Sequence, residues 1–296
     1  MKNALLCLVV CVVLALPAFG DGFYGVHSPN GVDVWAVGNN GTVFHSFDGG
    51  VTWSSMTQGT AALRAVYTMG SDVWMVGDNG QCYSSTDGGS SWTNQTLALG
   101  AALRSIAFAN SQVGLIVGNG GAIVKTTDTG NDWISKSSNT SQQLNSLSFA
   151  DPQTGYAAGA SGTLLKTTDL GETWTSIGQP DWTKDILSVS ASGQSVYISG
   201  TDGFCLKSTD AGVSWTGLNF RTDSRADING VYALSATSAY FVGGGGFIRR
   251  TADGGASYSY GIHQMHAKLN DVFFFTATNG WACSERNNAV LRTTDG

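Results

Sequence analysis

Side chains that could do chemistry collect in irregular loops in the second half of the chain. Arginine binds carboxylate or phosphate groups through two parallel hydrogen bonds, and tryptophan stacks on sugar rings or on a partner's side chains. Histidine binds metals or carries protons near neutral pH. We take seven such residues as candidates for contact with a partner: Trp182, Arg221, Arg225, His263, His266, Lys268 and Arg286.

Each kind of candidate has a structural alternative. Arg221 and Arg225 can pair with Asp223 and Asp227 in a solvated loop instead of clamping an anion. Trp182 can close a gap between structural units. Two histidines three residues apart, with no third ligand near them in sequence, do not make a zinc pattern. We therefore predict no metal, no cofactor and no catalytic residue, although an enzymatic role stays open.

The overall charge narrows the class of partner. The 296 residues carry a net charge of -6, and no basic run occurs. A general nucleic-acid binder needs clustered Lys and Arg to displace counterions from phosphates. We therefore expect no nucleic-acid partner. The 40 glycines stand against only 4 prolines, which indicates many tight turns joining short strands.

One block recurs along the whole chain and sets the positions of these loops. An Asp recurs every 39 to 43 residues, with Ser or Thr two positions before it and Gly close behind it. Trp or Tyr follows five positions after each of the first six. We call this turn the Asp box, and its seven aspartates are Asp48, Asp87, Asp128, Asp169, Asp210, Asp253 and Asp295.

Three strand-like segments precede each Asp box and one follows it. Four antiparallel strands about every 41 residues are typical of a propeller blade. The sequence therefore predicts an all-β, seven-bladed β-propeller of four-stranded antiparallel blades. Its repeats begin near residues 23, 63, 103, 144, 186, 228 and 269.

The Asp-box residues have a local structural role. The Asp carboxylate and the Ser or Thr hydroxyl can hydrogen-bond the backbone of the turn, and the Gly can adopt a positive φ. The aromatic residue can pack between neighbouring blades. We interpret all seven aspartates as structural.

The repeat Gly-x-x-Gly-x-hydrophobic-x-x-Thr-x-Asp-Gly-Gly-x-Thr-Trp resembles the BNR/Asp-box propellers. Its even spacing over residues 23–296 resembles the photosystem II stability and assembly factor-like group in particular. That resemblance implies an exported, non-enzymatic binding scaffold, which we expect to be a monomer that engages a protein partner such as a membrane-complex subunit. It also implies that ligands bind the face formed by the loops entering each first strand and those joining the second and third strands.

Fold alone does not assign activity, and the Asp box also occurs in sialidases and other glycosidases. A carbohydrate-active propeller, either a glycosidase or a glycan-binding protein, therefore stays open as the alternative. The discriminating question is whether the candidate residues bind protein or sugar.

The N-terminus has the pattern of a secretory signal. Lys2 precedes an apolar run at residues 4–16, and the small residues Ala18 and Gly20 occupy the −3 and −1 positions of a cleavage site. We expect residues 1–20 to be a signal peptide and the propeller domain to span residues 21–296. The expected location is the periplasm, the cell surface or the medium, or the thylakoid lumen of a photosynthetic host.

The seventh repeat has three predicted strands, because the sequence stops at Gly296 inside its Asp box. An unpaired outer edge favours aggregation. We therefore expect the natural chain to continue past Gly296.

Overall fold

A computed structural model describes residues 22–220, 226–261, 266–286 and 289–296. Within these ranges the chain forms seven separate antiparallel sheets, six of four strands and a last one of three. Each sheet is one blade, and its strands are paired in chain order from the inside outwards. The predicted seven-bladed all-β propeller with an incomplete last blade is confirmed. No helix in the described part of the chain is long and apolar enough to span a membrane.

The strands follow one another in the same order in every blade. Blade one consists of β1 Phe23–His27, β2 Val34–Gly38, β3 Thr42–Ser46 and β4 Ser54–Thr57. Blade two consists of β5 Leu63–Met69, β6 Asp72–Gly77, β7 Cys82–Ser85 and β8 Thr93–Asn94. Blade three consists of β9 Leu103–Phe108, β10 Gly114–Gly118, β11 Ile123–Thr126 and β12 Ile134–Lys136.

The remaining four blades repeat this order. They consist of β13 Leu144–Phe149, β14 Gly155–Gly159, β15 Leu164–Thr167 and β16 Thr175–Ser176; β17 Ile186–Ser192, β18 Ser195–Gly200, β19 Cys205–Ser208 and β20 Thr216–Gly217; β21 Ile228–Ala233, β22 Ala239–Gly243, β23 Ile248–Thr251 and β24 Ser259–Tyr260; and β25 Leu269–Phe274, β26 Gly280–Ser284 and β27 Val290–Thr293.

The sequence of each strand matches its layer in the blade. The second strands are almost entirely buried, as in β2 and β10, because neighbouring blades cover both of their faces. They accordingly read as continuous apolar runs. The first strands alternate between buried and half-buried residues, since one side faces the central axis. The fourth strands are short and largely exposed.

The Asp box is a hydrogen-bonded turn between the third and fourth strands. In blade one, Asp48 Oδ1 accepts the Ser46 hydroxyl at 2.8 Å and the Thr52 N–H at 2.8 Å, and Oδ2 accepts the Thr52 hydroxyl at 2.6 Å. The bonds from Thr52 are the largest cause that lowers the pKa of Asp48 to about 2. The other five complete boxes repeat the bond from the Ser or Thr hydroxyl to the Asp.

In blade seven, Asp295 accepts the Thr293 hydroxyl at 2.9 Å. Each of the seven aspartates thus accepts a hydroxyl hydrogen bond within its own turn.

Blades seven and one are joined by a hydrogen bond from an Asn side chain to a backbone carbonyl. Hydrogen bonds of the same type join two other pairs of neighbouring blades. Asn270 Nδ2 donates to the Phe23 carbonyl at 2.7 Å. In the same strand position, Asn145 joins blade four to blade five at 2.9 Å and Asn229 joins blade six to blade seven at 2.8 Å. Side-chain to backbone bonds therefore contribute to ring closure.

Candidate functional site

One face of the propeller carries the turns that join second to third strands, and we call it the 3-10 face. In blades one, two, three, five and six these turns have the hydrogen-bond pattern of a short 3-10 helix, but their central residue has positive φ. They are Asn39–Gly41, Asp78–Gly80, Asn119–Gly121, Thr201–Gly203 and Gly244–Gly246. Loops that lead from one blade into the next first strand lie on the same face, because antiparallel strands alternate in direction. The Asp boxes lie on the opposite face.

A pocket of 550 Å³ opens on the 3-10 face at blades six and seven, and its lining includes Asp227, Phe247, Arg249 and Lys268. The Arg249 guanidinium lies 4.0 Å from the ring centre of Tyr260 and 4.7 Å from that of Phe247. Burial lowers the pKa of Arg249. The two rings hold the guanidinium in place at the pocket wall, where it can bind an anionic group.

Lys268, one of the predicted candidates, lines this pocket, and its Nζ lies 3.3 Å from Glu285 Oε2. Within the described part of the chain, Arg249 has no ion pair, and its buried Nε has no hydrogen-bond acceptor. The pocket thus contains one cation that is partly neutralised and one that is not. Arg249 Nη1 donates to the Ile248 carbonyl at 2.7 Å, so the guanidinium is held by its own strand as well as by the two rings.

Two further arginines lie on the 3-10 face at blades two and three. Arg64 forms a bidentate pair with Asp78, with Nε–Oδ1 and Nη2–Oδ2 distances of 3.0 and 2.6 Å. Arg104 Nε donates to the Asn119 amide oxygen at 2.6 Å. Burial, and next the positive charge of Arg64, lower the pKa of Arg104. Asp78 neutralises Arg64, so Arg104 is the cation at this position that has no carboxylate partner among the described residues.

Trp182 is half-buried and packs within the molecule. Its ring centre lies 5.7 Å from that of Phe204 and 5.4 Å from that of Trp215, edge to face in both cases. Its backbone also covers Gly162 of blade four, where an added Cβ would lie 2.4 Å from the Trp182 carbonyl oxygen. The loop tryptophan therefore fills the junction of blades four and five, which was the structural alternative.

The other predicted candidates divide into two groups. His266 and Arg286 are exposed on the same side of blade seven as Lys268. Arg221, Arg225 and His263 lie outside the described residues. The structure thus brings Lys268 together with Arg249, which the sequence interpretation missed.

Position within the repeat could have identified two of the missed arginines. Arg64 and Arg104 occupy the second residue of the first strand, where blades four, six and seven carry asparagine. Comparing the repeats at this one position would have singled out two cations on the 3-10 face. Arg249 has no such signal, because its role depends on Tyr260, which comes from the next strand.

The central axis contains a channel of 350 Å³. Asp271 lines it, and burial raises the pKa of that carboxyl to about 6. His27 also lines it; burial lowers the pKa of this ring to about 3, and Nδ1 accepts the Thr68 N–H at 3.3 Å. Asp271 is the only carboxylate among the described lining residues, whereas the common glycosidase mechanism uses two.

Seven radial blades with Asp-box turns define the class as an Asp-box β-propeller. The family model for the photosynthesis system II assembly factor YCF48 matches residues 54–127 and 126–288. The chain belongs to this family. None of the curated proteins matches it in sequence.

Solved structures with the same fold include two from this family. "YCF48 bound to D1 peptide" superposes with a TM-score of 0.80 at 19% identity, covering 97% of this chain and 95% of that one. YCF48 from Cyanidioschyzon merolae gives 0.78 at 18% identity, with 96% and 98% covered. Virginiamycin B lyase from Staphylococcus aureus gives 0.82 at 15% identity, also with 96% and 98% covered. At these identities the likeness concerns the fold alone.

Proposed function

We propose that this protein is an exported, non-enzymatic scaffold that binds a protein partner at a membrane through its 3-10 face. The observation that carries the proposal is the half-buried Arg249 at a pocket wall, whose guanidinium lies against the rings of Phe247 and Tyr260 and has no ion-pair partner among the described residues. Such a preorganised guanidinium recognises a carboxylate without first having to be ordered.

Family membership supports the same proposal, because a relative has been solved with a peptide bound. By analogy we propose an extended, acidic segment of a membrane-complex subunit as the ligand of this chain. Arg104, which has no ion-pair partner among the described residues, would attract such a segment by charge, while Arg249 would fix its register. Export rests on the signal-like pattern of residues 1–20.

The test is affinity capture from an envelope extract of the host with the chain immobilised. Wild type is compared with an Arg104→Ala, Arg249→Ala double variant. Lys207→Ala serves as the control, because it removes one positive charge near the Asp-box face, where its Nζ lies 3.4 Å from the Gly254 carbonyl.

We expect one membrane protein to be enriched by wild type and by the control, and lost from the double variant. Equal capture by all three proteins would exclude the 3-10 face as the binding surface. Recovery of glycans in place of a protein would favour the carbohydrate-active alternative.

A further inference from the structure

Two levels of side chains from the first strands surround the central channel. The third residues of these strands, in blades one to seven, are Gly25, Ala65, Ser105, Ser146, Ser188, Gly230 and Asp271. The fifth residues are His27, Tyr67, Ala107, Ser148, Ser190, Tyr232 and Phe273. Strand residues two positions apart face the same side, and most of both sets line the 350 Å³ channel. One level therefore consists of small residues and a single carboxylate, and the level next to it contains four rings.

Asp271 is the carboxylate of the first level, and only part of its acceptor capacity is used. Oδ2 accepts the Val26 N–H at 3.1 Å, and Oδ1 accepts the Val272 N–H at 2.8 Å. The two oxygens of an ionised carboxylate can accept about four hydrogen bonds. Because the half-buried side chain lines the channel, the remaining acceptor positions are left for a molecule inside it.

The described part of the chain places no cation opposite this carboxylate. The described lining of the channel includes no Lys or Arg. Burial raises the pKa of Asp271 to about 6, and two backbone N–H bonds lower it, so the carboxyl is mainly ionised at neutral pH. A buried charge without a partner is unfavourable, and a ligand of opposite charge would relieve it.

The second level places aromatic rings beside Asp271. The ring centre of His27 lies 4.3 Å from that of Phe273 and 4.7 Å from that of Tyr67. The ring centre of Tyr232 lies 5.3 Å from that of Phe273. These four rings come from blades six, seven, one and two, and Asp271 belongs to blade seven among them. Aromatic rings attract cations through their faces and pack against the apolar part of a ligand.

We propose that the central channel binds a small organic cation with a primary ammonium group and an apolar body. The ammonium group donates to Asp271, and the apolar body packs against Phe273 and the neighbouring rings. A neutral molecule would leave the carboxylate unpaired, and a bare metal ion would not use the aromatic wall. The channel lies on the axis, apart from the pocket at Arg249, so this site does not depend on the proposed function of the 3-10 face.

Calorimetric titration of the full chain with benzylamine tests the site. Benzyl alcohol is the control ligand, because it has the same ring and no charge. The benzylammonium group stays protonated from pH 5 to pH 8, as a lysine side chain does. We expect saturable one-to-one binding of benzylamine at pH 8 and at least about tenfold weaker binding of benzyl alcohol, since only the cation pairs with the carboxylate.

The affinity for benzylamine should also follow the ionisation of Asp271. With a pKa of about 6, nearly all of the carboxyl is ionised at pH 8 and about one tenth at pH 5, so binding should be about tenfold weaker at pH 5. Burial lowers the pKa of His27 to about 3 and raises that of Tyr232 to about 12. Burial also raises the pKa values of Tyr67 and Cys283. None of these four neighbours titrates between pH 5 and pH 8.

Two pairs of variants locate the binding site. Asp271→Asn keeps the shape of the side chain without its charge, whereas Asp132→Asn removes one charge from an exposed turn. Ala107→Leu narrows the channel from blade three, whereas Ala107→Ser copies the serine that blade four has at the same level. We expect Asp271→Asn and Ala107→Leu to bind benzylamine at least about tenfold more weakly at pH 8, and the other two variants to bind it as wild type does.

Four results would overturn the proposal. They are equal affinity for benzyl alcohol and benzylamine, wild-type affinity in Asp271→Asn, wild-type affinity in Ala107→Leu, and no binding of benzylamine at millimolar concentration. Ala107→Leu retains the carboxylate, so it tests the channel even if Asp271→Asn fails to fold, which circular dichroism would show. Capture of a partner by the 3-10 face is measured separately, and its outcome is distinguishable from all four.

Discussion

The Asp271 carboxylate of blade seven accepts the backbone N–H of Val26 in blade one through Oδ2, at 3.1 Å. Blades three, four and five place Ser105, Ser146 and Ser188 at the same strand position, and each hydroxyl accepts an N–H of the next blade. A carboxylate therefore takes the place of a hydroxyl where the ring closes. Burial raises the pKa of Asp271 to about 6, so we expect the stability of this junction to depend on pH.

Asp271→Asn should change how stability depends on pH. The folded-state pKa of about 6 is above the ordinary 3.8, so the contribution of Asp271 to stability is full below about 3.8 and is lost as pH rises through about 6. The amide does not titrate. The free energy of unfolding of the variant, relative to wild type, should therefore rise between pH 4 and pH 8, by no more than about 3 kcal/mol.

Urea unfolding at several pH values measures this difference. Ser146→Ala is the control, because it removes a bond at the same strand position without removing a titrating group. A difference between Asp271→Asn and wild type that stays constant with pH would show that Asp271 is not the titrating group.

Asp128 and Asp132 lie in the same turn and allow a matched test of the Asp box. Asp128 Oδ1 accepts the Thr126 hydroxyl at 2.7 Å and the N–H groups of Asn131 and Asp132 at 3.1 and 3.0 Å. Asp132 contributes its backbone to the turn and has an exposed side chain. Asp128→Ala should therefore lower the free energy of unfolding by about 1–3 kcal/mol, and Asp132→Ala by less than about 0.5 kcal/mol.

Chemical denaturation of the two variants gives the comparison. Equal losses would mean that removing any negative charge from the turn has the same effect, and that the hydrogen bonds contribute little.

The fold could be predicted from sequence because its signals are local and repeated. The Asp box needs only a few consecutive residues to form its hydrogen bonds, and seven copies fix the number of blades. The packing of Trp182 was left open between two alternatives, since it depends on Phe204 and Trp215, which lie elsewhere in the chain. The pocket around Arg249 was missed for the same reason, because it brings together residues from three different segments.

The tryptophans of the Asp boxes differ in how their ring N–H is satisfied. Trp53 Nε1 donates to the Gly50 carbonyl at 3.2 Å, whereas the buried Trp133 Nε1 has no acceptor among the described residues. Replacing Trp by Phe removes a hydrogen bond in the first case and an unsatisfied donor in the second. Trp53→Phe should therefore lower the free energy of unfolding by about 1 kcal/mol more than Trp133→Phe does.

Thermal unfolding of the two variants ranks them. The corresponding alanine variants show how much stability the whole ring contributes. Trp133→Ala should lower the free energy of unfolding by about 3–5 kcal/mol, because it leaves a cavity against Phe108. A larger loss for Trp133→Phe than for Trp53→Phe would indicate that ring shape, and not hydrogen bonding, decides the effect.

Gly130 and Gly120 separate backbone strain from close packing. Both have positive φ, 85° and 67°, a region that costs other residues about 1–2 kcal/mol. A Cβ on Gly130 would lie 2.5 Å from Trp74 Nε1, whereas one on Gly120 would meet nothing within 4 Å. Gly120→Ala should lower the free energy of unfolding only by the backbone strain, and Gly130→Ala by that amount plus about 1–3 kcal/mol for displacing Trp74.

Urea unfolding followed by tryptophan fluorescence measures both losses, and the emission of Trp74 and Trp133 should change only in the Gly130 variant. The comparison decides what the Asp-box glycine contributes. If both variants lose the same stability, positive φ alone accounts for the glycine. If Gly130→Ala loses more, the glycine is also needed because the tryptophan of the preceding blade lies against the turn, and the Asp box then couples neighbouring blades as well as ordering its own turn.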